Sequence, residues 1–148
     1  VDRYADGPRR VLRGLAKPVI LTGAQLPADV VRSDARENLV NALEIAAHPH
    51  AAPPEVALCF DSKLFRGNRT LKYSSEKFSA FASPNYPPLA EAGVHIALYE
   101  KNWLPAPAPG AALNVCLPLA QEVGLLKFYP GMPPEVAARV FEPFFTTK

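Results

Sequence analysis

A strand, a helix and a second strand follow one another between residues 17 and 60, and this order constrains the fold most. Lys17-Pro18-Val19-Ile20-Leu21-Thr22-Gly23 is a short apolar run closed by a glycine. Such a run predicts a parallel strand covered on both faces, ending in a glycine turn. Asp34 with Glu37 gives a D-x-x-E helix start. Leu39, Val40, Leu43 and Ala47 recur at helical spacing and predict the buried face of a helix over 34–47, with Arg36, Glu37 and Glu44 mostly turned away. His48-Pro49 ends it, because a residue before proline disfavours the helical region. Glu55 to Phe60 predicts the second strand, which completes a βαβ unit with a right-handed crossover.

The class is therefore α/β, with a sheet parallel in its first part and an antiparallel edge near 64–73 or 93–99. Residues 64–73 read as a further extended segment. From Gly93 to Tyr99, Val94, Ile96 and Leu98 alternate with His95, Ala97 and Tyr99. Proline marks the boundaries: the chain has 17, about twice the usual ~5% share. Pro105-Ala106-Pro107-Ala108-Pro109-Gly110 reads as a stiff linker. After it come a strand from Val123 to Tyr129, a Pro130-Gly131 turn, and a helix opened by Pro133-Pro134-Glu135 that covers at least Val136 to Val140. The domains expected are 1–104, with 1–14 atypical, a linker over 105–122, and the start of a second domain over 123–148.

Charge excludes some partners. Sixteen basic and 14 acidic side chains leave a net charge of +2, too little for a nucleic-acid or membrane-surface binder. Arg9, Arg10 and Arg13 read as a solvated helix face. No run approaches the ~20 apolar residues of a membrane span. Cys59 and Cys116 sit in separate apolar runs without C-x-x-C spacing; buried free thiols and a cytoplasmic location follow.

Few residues stand out for chemistry. Lys72 closes a polar run in an otherwise strand-like segment, and a lysine becomes catalytic when burial and a neighbouring acid poise it. Asn68 and Arg69 beside it more simply satisfy backbone carbonyls. The Thr22-Gly23-Ala24-Gln25-Leu26-Pro27 loop follows a strand's C-terminal end, where open α/β sheets place ligands; the plainer alternative gives Gly23 a tight turn. His48 and His50 lack a third ligand nearby, so no metal site is read from them. His95 reads as a packed or rim histidine, and Trp103 as an interdomain packing residue.

Two passages carry a resemblance. Leu64-Phe65-Arg66-Gly67-Asn68-Arg69-Thr70-Leu71-Lys72, with Phe81-Ala82-Ser83-Pro84-Asn85, is similar to the LYRGNRTTK…FDAFASPN segment of bacterial type I L-asparaginases. Lys17 to Pro27 resembles their KPVILTGSQIP motif, followed by Arg32-Ser33-Asp34 for RSDG. Lys127-Phe128-Tyr129-Pro130-Gly131 extends the match. The resemblance implies a largely parallel three-layer sheet of a partial asparaginase N-terminal domain, then the first strand and helix of a second α/β domain. It implies that Lys72 is the lysine of a Thr–Lys–Asp triad and that backbone at Ala24 lies beside the side-chain amide of the substrate, L-asparagine. It further implies an acyl-enzyme route from an N-terminal threonine, no cofactor, no metal, and a cytoplasmic homo-oligomer.

Two departures qualify it. The GGTI-like nucleophile turn and the HGTDT motif have no counterpart in this sequence: Val1 to Arg10 stands where the second is expected, and no Gly-Thr-Asp occurs. An internal fragment that is inactive alone is the expectation. The tail from Met132 to Lys148 resembles a segment of sensor histidine-kinase ATPase domains, and beyond Val140, over Phe141-Glu142-Pro143-Phe144-Phe145-Thr146-Thr147-Lys148, only that pattern fits, without that family's asparagine-bearing and glycine-rich ATP motifs. The alternatives are a non-catalytic remnant or oligomerising module, the amidase subunit of a tRNA-dependent amidotransferase, and a nucleotide-binding kinase fragment.

Overall fold

A computed structural model describes residues 12–49, 51–115 and 129–135. The chain divides into two compact units, 1–117 and 118–148. In the first, β1 (Leu12–Arg13), β2 (Val19–Leu21), α1 (Ala35–Ala46), β3 (Val56–Phe60), β4 (Lys63–Arg66), β5 (Leu71–Lys72), β6 (Phe81–Ala82), β7 (Ala90–Ala92), β8 (Ile96–Leu98) and β9 (Asn114–Val115) follow in order. β2, β3, β4, β7 and β8 form the main sheet, in that spatial order. β5 pairs with β6, and β1 with β9, as separate two-stranded ladders.

The expected βαβ unit is present: β2 and β3 pair in parallel, Val19 opposite Val56, with α1 between them in sequence. The rest of the main sheet is antiparallel. Asp61 and Ser62 form a two-residue turn with φ of 48° and 61°, joining the paired residues Phe60 and Lys63. Positive φ at both positions suits the twist of a tight hairpin, so the chain reverses at once into β4 and no crossover helix intervenes. Parallel pairing is thus confined to β2–β3 among the described residues, narrower than the largely parallel sheet expected, and the antiparallel edge expected at 64–73 or 93–99 takes in both regions.

Several local expectations are corrected. The segment 64–73 is not continuous. A 3-10 turn at Gly67–Arg69 separates β4 from β5, and Thr70 Oγ1 donates to the Arg66 carbonyl across it at 2.7 Å. A Cβ on Gly67 would come within 3.1 Å of the Val56 carbonyl oxygen, so the turn sits tight against β3. β2 is not covered on both faces: Ile20 packs against the core, whereas the next residue along the strand, Leu21, is 55% exposed. Val94 leaves the alternation because Gly93 N–H donates to the His95 carbonyl in a tight turn before β8. Arg13 lies on β1 rather than on a helix.

α1 turns a different face inward from the one the apolar spacing predicts. Asn38, Ala42 and Ile45 are its buried residues. Leu39 is 51% and Leu43 60% exposed. Ala42 and Ile45 join Ala57, Cys59, Leu64, Leu89 and Ala90 in the core, with Ile20, Tyr86, Ile96, Leu98 and Trp103 packed against it. Trp103, expected between domains, thus packs on the first unit's own core, and its indole N–H donates to the Leu89 carbonyl at 2.9 Å. Cys59 is a buried free thiol.

In the second unit, Met132 N–H donates to the Tyr129 carbonyl at 3.1 Å, closing the turn expected at Pro130-Gly131. The strand expected from Val123 lies outside the described residues up to its last position, Tyr129. The helix over Val136 to Val140, the tail to Lys148, Cys116, His50, Arg9 and Arg10 also lie outside them.

Candidate functional site

The site is built at the C-terminal ends of β2 and β3. Thr22 closes the end of β2 onto β3 through a 2.9 Å hydrogen bond from its hydroxyl to the Cys59 carbonyl. The loop that follows has no ladder to hold it, and side chains from the start of α1 take that role. The Asp34 carboxylate accepts from the backbone N–H groups of Gln25, at 2.9 and 3.1 Å, and of Leu26, at 3.2 Å. Asn38 donates to the Gly23 carbonyl at 3.0 Å and to Asp34 at 2.9 Å, and accepts from Asp61 N–H at 3.0 Å. Ser33 Oγ donates to the Leu26 carbonyl at 3.0 Å and accepts from Ala35 N–H at 3.1 Å.

The D-x-x-E pattern therefore has another use than the capping box expected of it. Asp34 occupies the N-cap position but makes no side-chain cap bond; its carboxylate serves the preceding loop. Burial pushes the Asp34 carboxyl up, and the Gln25 and Leu26 N–H groups and the Asn38 amide outweigh that, leaving it below the ordinary 3.8. Asn38, 2% exposed, is the hub joining loop, helix and hairpin turn. The sequence reading missed it. Its one signal was an amide four residues after Asp34 in an apolar stretch, which puts the two side chains on one helix face.

Lys72 lies exposed on β5, opposite Phe81 on β6. Its Nζ is 5.7 Å from the Phe81 ring centroid, at the outer limit of a cation–π contact. Ala24 is exposed on the β2 loop. A hydrogen bond from Gln25 Nε2 to the Lys77 carbonyl at 3.0 Å ties the Ala24 loop to the connection between β5 and β6. A cavity of about 310 Å³ beside the hairpin is lined by Phe60, Asp61, Lys63, Tyr73, Ser79 and Phe81 among others; neither Lys72 nor Ala24 lines it. Gly23 does not serve the tight turn considered for it: its φ is outside the left-handed region, and a Cβ there would meet nothing within 4 Å. His95 is exposed. No group of three or more metal-ligating side chains occurs among the described residues, nor does any of their helices have the length and apolarity to cross a membrane.

The fold is an α/β unit with a loop after a parallel strand and an exposed lysine on an adjoining hairpin. The chain belongs to the asparaginase family: the family's N-terminal domain model matches residues 9–104. It is 46% identical over 126 residues to L-asparaginase 1 of Escherichia coli, covering 85% of this chain and 36% of that protein. It is 43% identical over 134 residues to the mouse 60 kDa lysophospholipase, covering 90% and 23%. Among solved structures, L-asparaginase I of Vibrio cholerae superposes with a TM-score of 0.73 at 40% identity, covering 87% of this chain and 38% of that one. The chain thus spans about a third of the length of the L-asparaginases it matches.

Proposed function

We propose that this chain supplies the substrate loop and the triad lysine of an L-asparaginase, which hydrolyses L-asparagine to L-aspartate and ammonia. The observation that carries the reading is the Gln25–Lys77 hydrogen bond, which sets the Ala24 loop beside the hairpin bearing Lys72 in a domain of the asparaginase family. Ala24 offers backbone to the side-chain amide, and Lys72 serves proton transfer between a threonine hydroxyl and an aspartate. The aspartate of that triad would come from the family's Gly-Thr-Asp motif, which does not occur in this sequence. The working enzyme is a cytoplasmic homo-oligomer, with 105–122 linking its two domains. The tail from Phe141 to Lys148 resembles the kinase pattern without its ATP motifs, and no nucleotide site is assigned to it.

Ammonia release from asparagine by the purified 148-residue protein tests the division of labour. The expected rate is background, because without the two threonines the covalent route is absent rather than slowed. Release above background, abolished by Lys72→Ala, would overturn it.

A further inference from the structure

We propose that Asp34 and Asn38 are positioning residues that aim the backbone groups of Ala24 at the substrate amide. The inference rests on the asparaginase reading of this loop and deepens it. A peptide group is planar and trans, so fixing its N–H fixes the opposite direction for its C=O. The Ala24–Gln25 peptide is fixed at its N–H by the Asp34 carboxylate. The Ala24 carbonyl therefore points away from Asp34. The Gly23–Ala24 peptide is fixed at its C=O by the Asn38 amide, so the Ala24 N–H points away from Asn38. Ala24's own N–H and C=O have no partner among the described residues, and the residue is exposed. Both peptides flanking Ala24 are held from the helix side, and the two groups left over are turned outward. Open space beside Gly23 leaves this stretch of backbone accessible.

This arrangement discriminates by chemistry. An outward carbonyl accepts from the NH2 of a primary amide and repels a carboxylate oxygen. Asparagine and aspartate differ in that group, so the aim of the Ala24 carbonyl sets the preference for amide substrate over acid product. Such recognition needs the acceptor held to within roughly 0.5 Å. The buried Asn38 provides a rigid base, because its three side-chain bonds join the loop, Asp34 and the hairpin turn at Asp61.

The test has two arms. In the first, the aligned segment of this chain replaces its counterpart in the E. coli relative, and Asp34→Asn is made in that graft. The ratio of the KM for asparagine to the inhibition constant of aspartate is expected to rise at least tenfold, because only the amide loses its acceptor. Equal scaling of both constants, or no change, would overturn the proposal, since general loosening weakens both ligands alike. In the second arm, amide hydrogen exchange is followed in the 148-residue protein itself. Asp34→Asn is expected to speed exchange at Gln25 and Leu26 at least tenfold and leave Cys59 and Leu64 unchanged. Unaltered exchange at Gln25 would contradict the claim. A folded but inactive unsubstituted graft would refute the asparaginase reading, and the exchange result would then decide whether Asp34 holds the loop.

Discussion

β3 has a polar network at each end, and the two are built differently. At its N-terminal end Glu55, 4% exposed, meets Arg66 through two hydrogen bonds, at 2.6 and 3.2 Å, and accepts Leu104 N–H at 2.9 Å. Arg66 also donates to the Asn102 carbonyl at 2.9 Å and lies 4.2 Å from the Tyr86 ring centroid. Asn102 in turn donates to the Pro88 carbonyl. Every bond in this network ends on the protein. At the C-terminal end Asp34 and Asn38 also satisfy one another, but what they hold is a loop whose central residue offers its backbone outward. The first network closes a structure; the second presents one. Satisfied polar groups at both ends thus serve stability in one case and geometry in the other.

The largest expected effect separates the ends. Glu55→Gln leaves Arg66 with a neutral partner in a buried setting, where breaking a charge pair costs about 3–5 kcal/mol. Urea unfolding of the 148-residue protein should show most of that loss. A loss under about 1 kcal/mol would mean that the Glu55 network does not serve stability and would end the contrast.

Cys59 lies on β3 between the two. Burial pushes its thiol from 9.0 up to about 11. The raised value favours the folded protein fully below pH 9 and ceases to do so as pH rises towards 11, a loss of roughly 2–3 kcal/mol. Cys59→Ala should remove that alkaline slope in unfolding measured between pH 8 and 11. A slope that persists in Cys59→Ala would belong to another group.

Asp34 gives a smaller effect of opposite sign in pH. Its carboxyl is depressed below 3.8, so its contribution is present above that pH and lost as pH falls through the lower folded value. Protection of the Gln25 amide, measured against its intrinsic exchange rate, should fall on acidification below about pH 4, and Asp34→Asn should remove that dependence. The smallest effect falls on Gly23: Gly23→Ala should change stability by under about 1 kcal/mol, since neither its φ nor its surroundings require glycine. A larger loss would mean that the loop needs glycine for its own conformation.

The sequence made the βαβ unit legible because a short apolar run, a proline stop and a second apolar run each have a local cause. The inward face of α1 was not legible. Leu39, Val40 and Leu43 give a strong apolar spacing, yet the helix is anchored by Asn38 and Ile45, and tertiary hydrogen bonds at Asn38 override the pattern. The β3–β4 hairpin was missed because Asp61-Ser62 is a weaker turn signal than Asn-Gly or Asp-Gly. The roles proposed for Ala24 and Lys72 rest on the resemblance; the sequence alone marks only Lys72, at the end of a polar run, and gives it no role. Asp34 was singled out for a helix cap. The carboxylate that could have bonded its own helix bonds the preceding loop instead, a choice made by where that loop lies in space.

The most direct test of the asparaginase reading is turnover of asparagine by the graft of this chain's aligned segment into the E. coli relative, with and without Lys72→Ala. The expected result is ammonia release by the unsubstituted graft, reduced at least a thousandfold by Lys72→Ala in a protein that still folds, on the order of 4 kcal/mol in the barrier. Turnover that survives Lys72→Ala within tenfold would contradict the role assigned to that lysine, and with it the reading of the hairpin as half of the site.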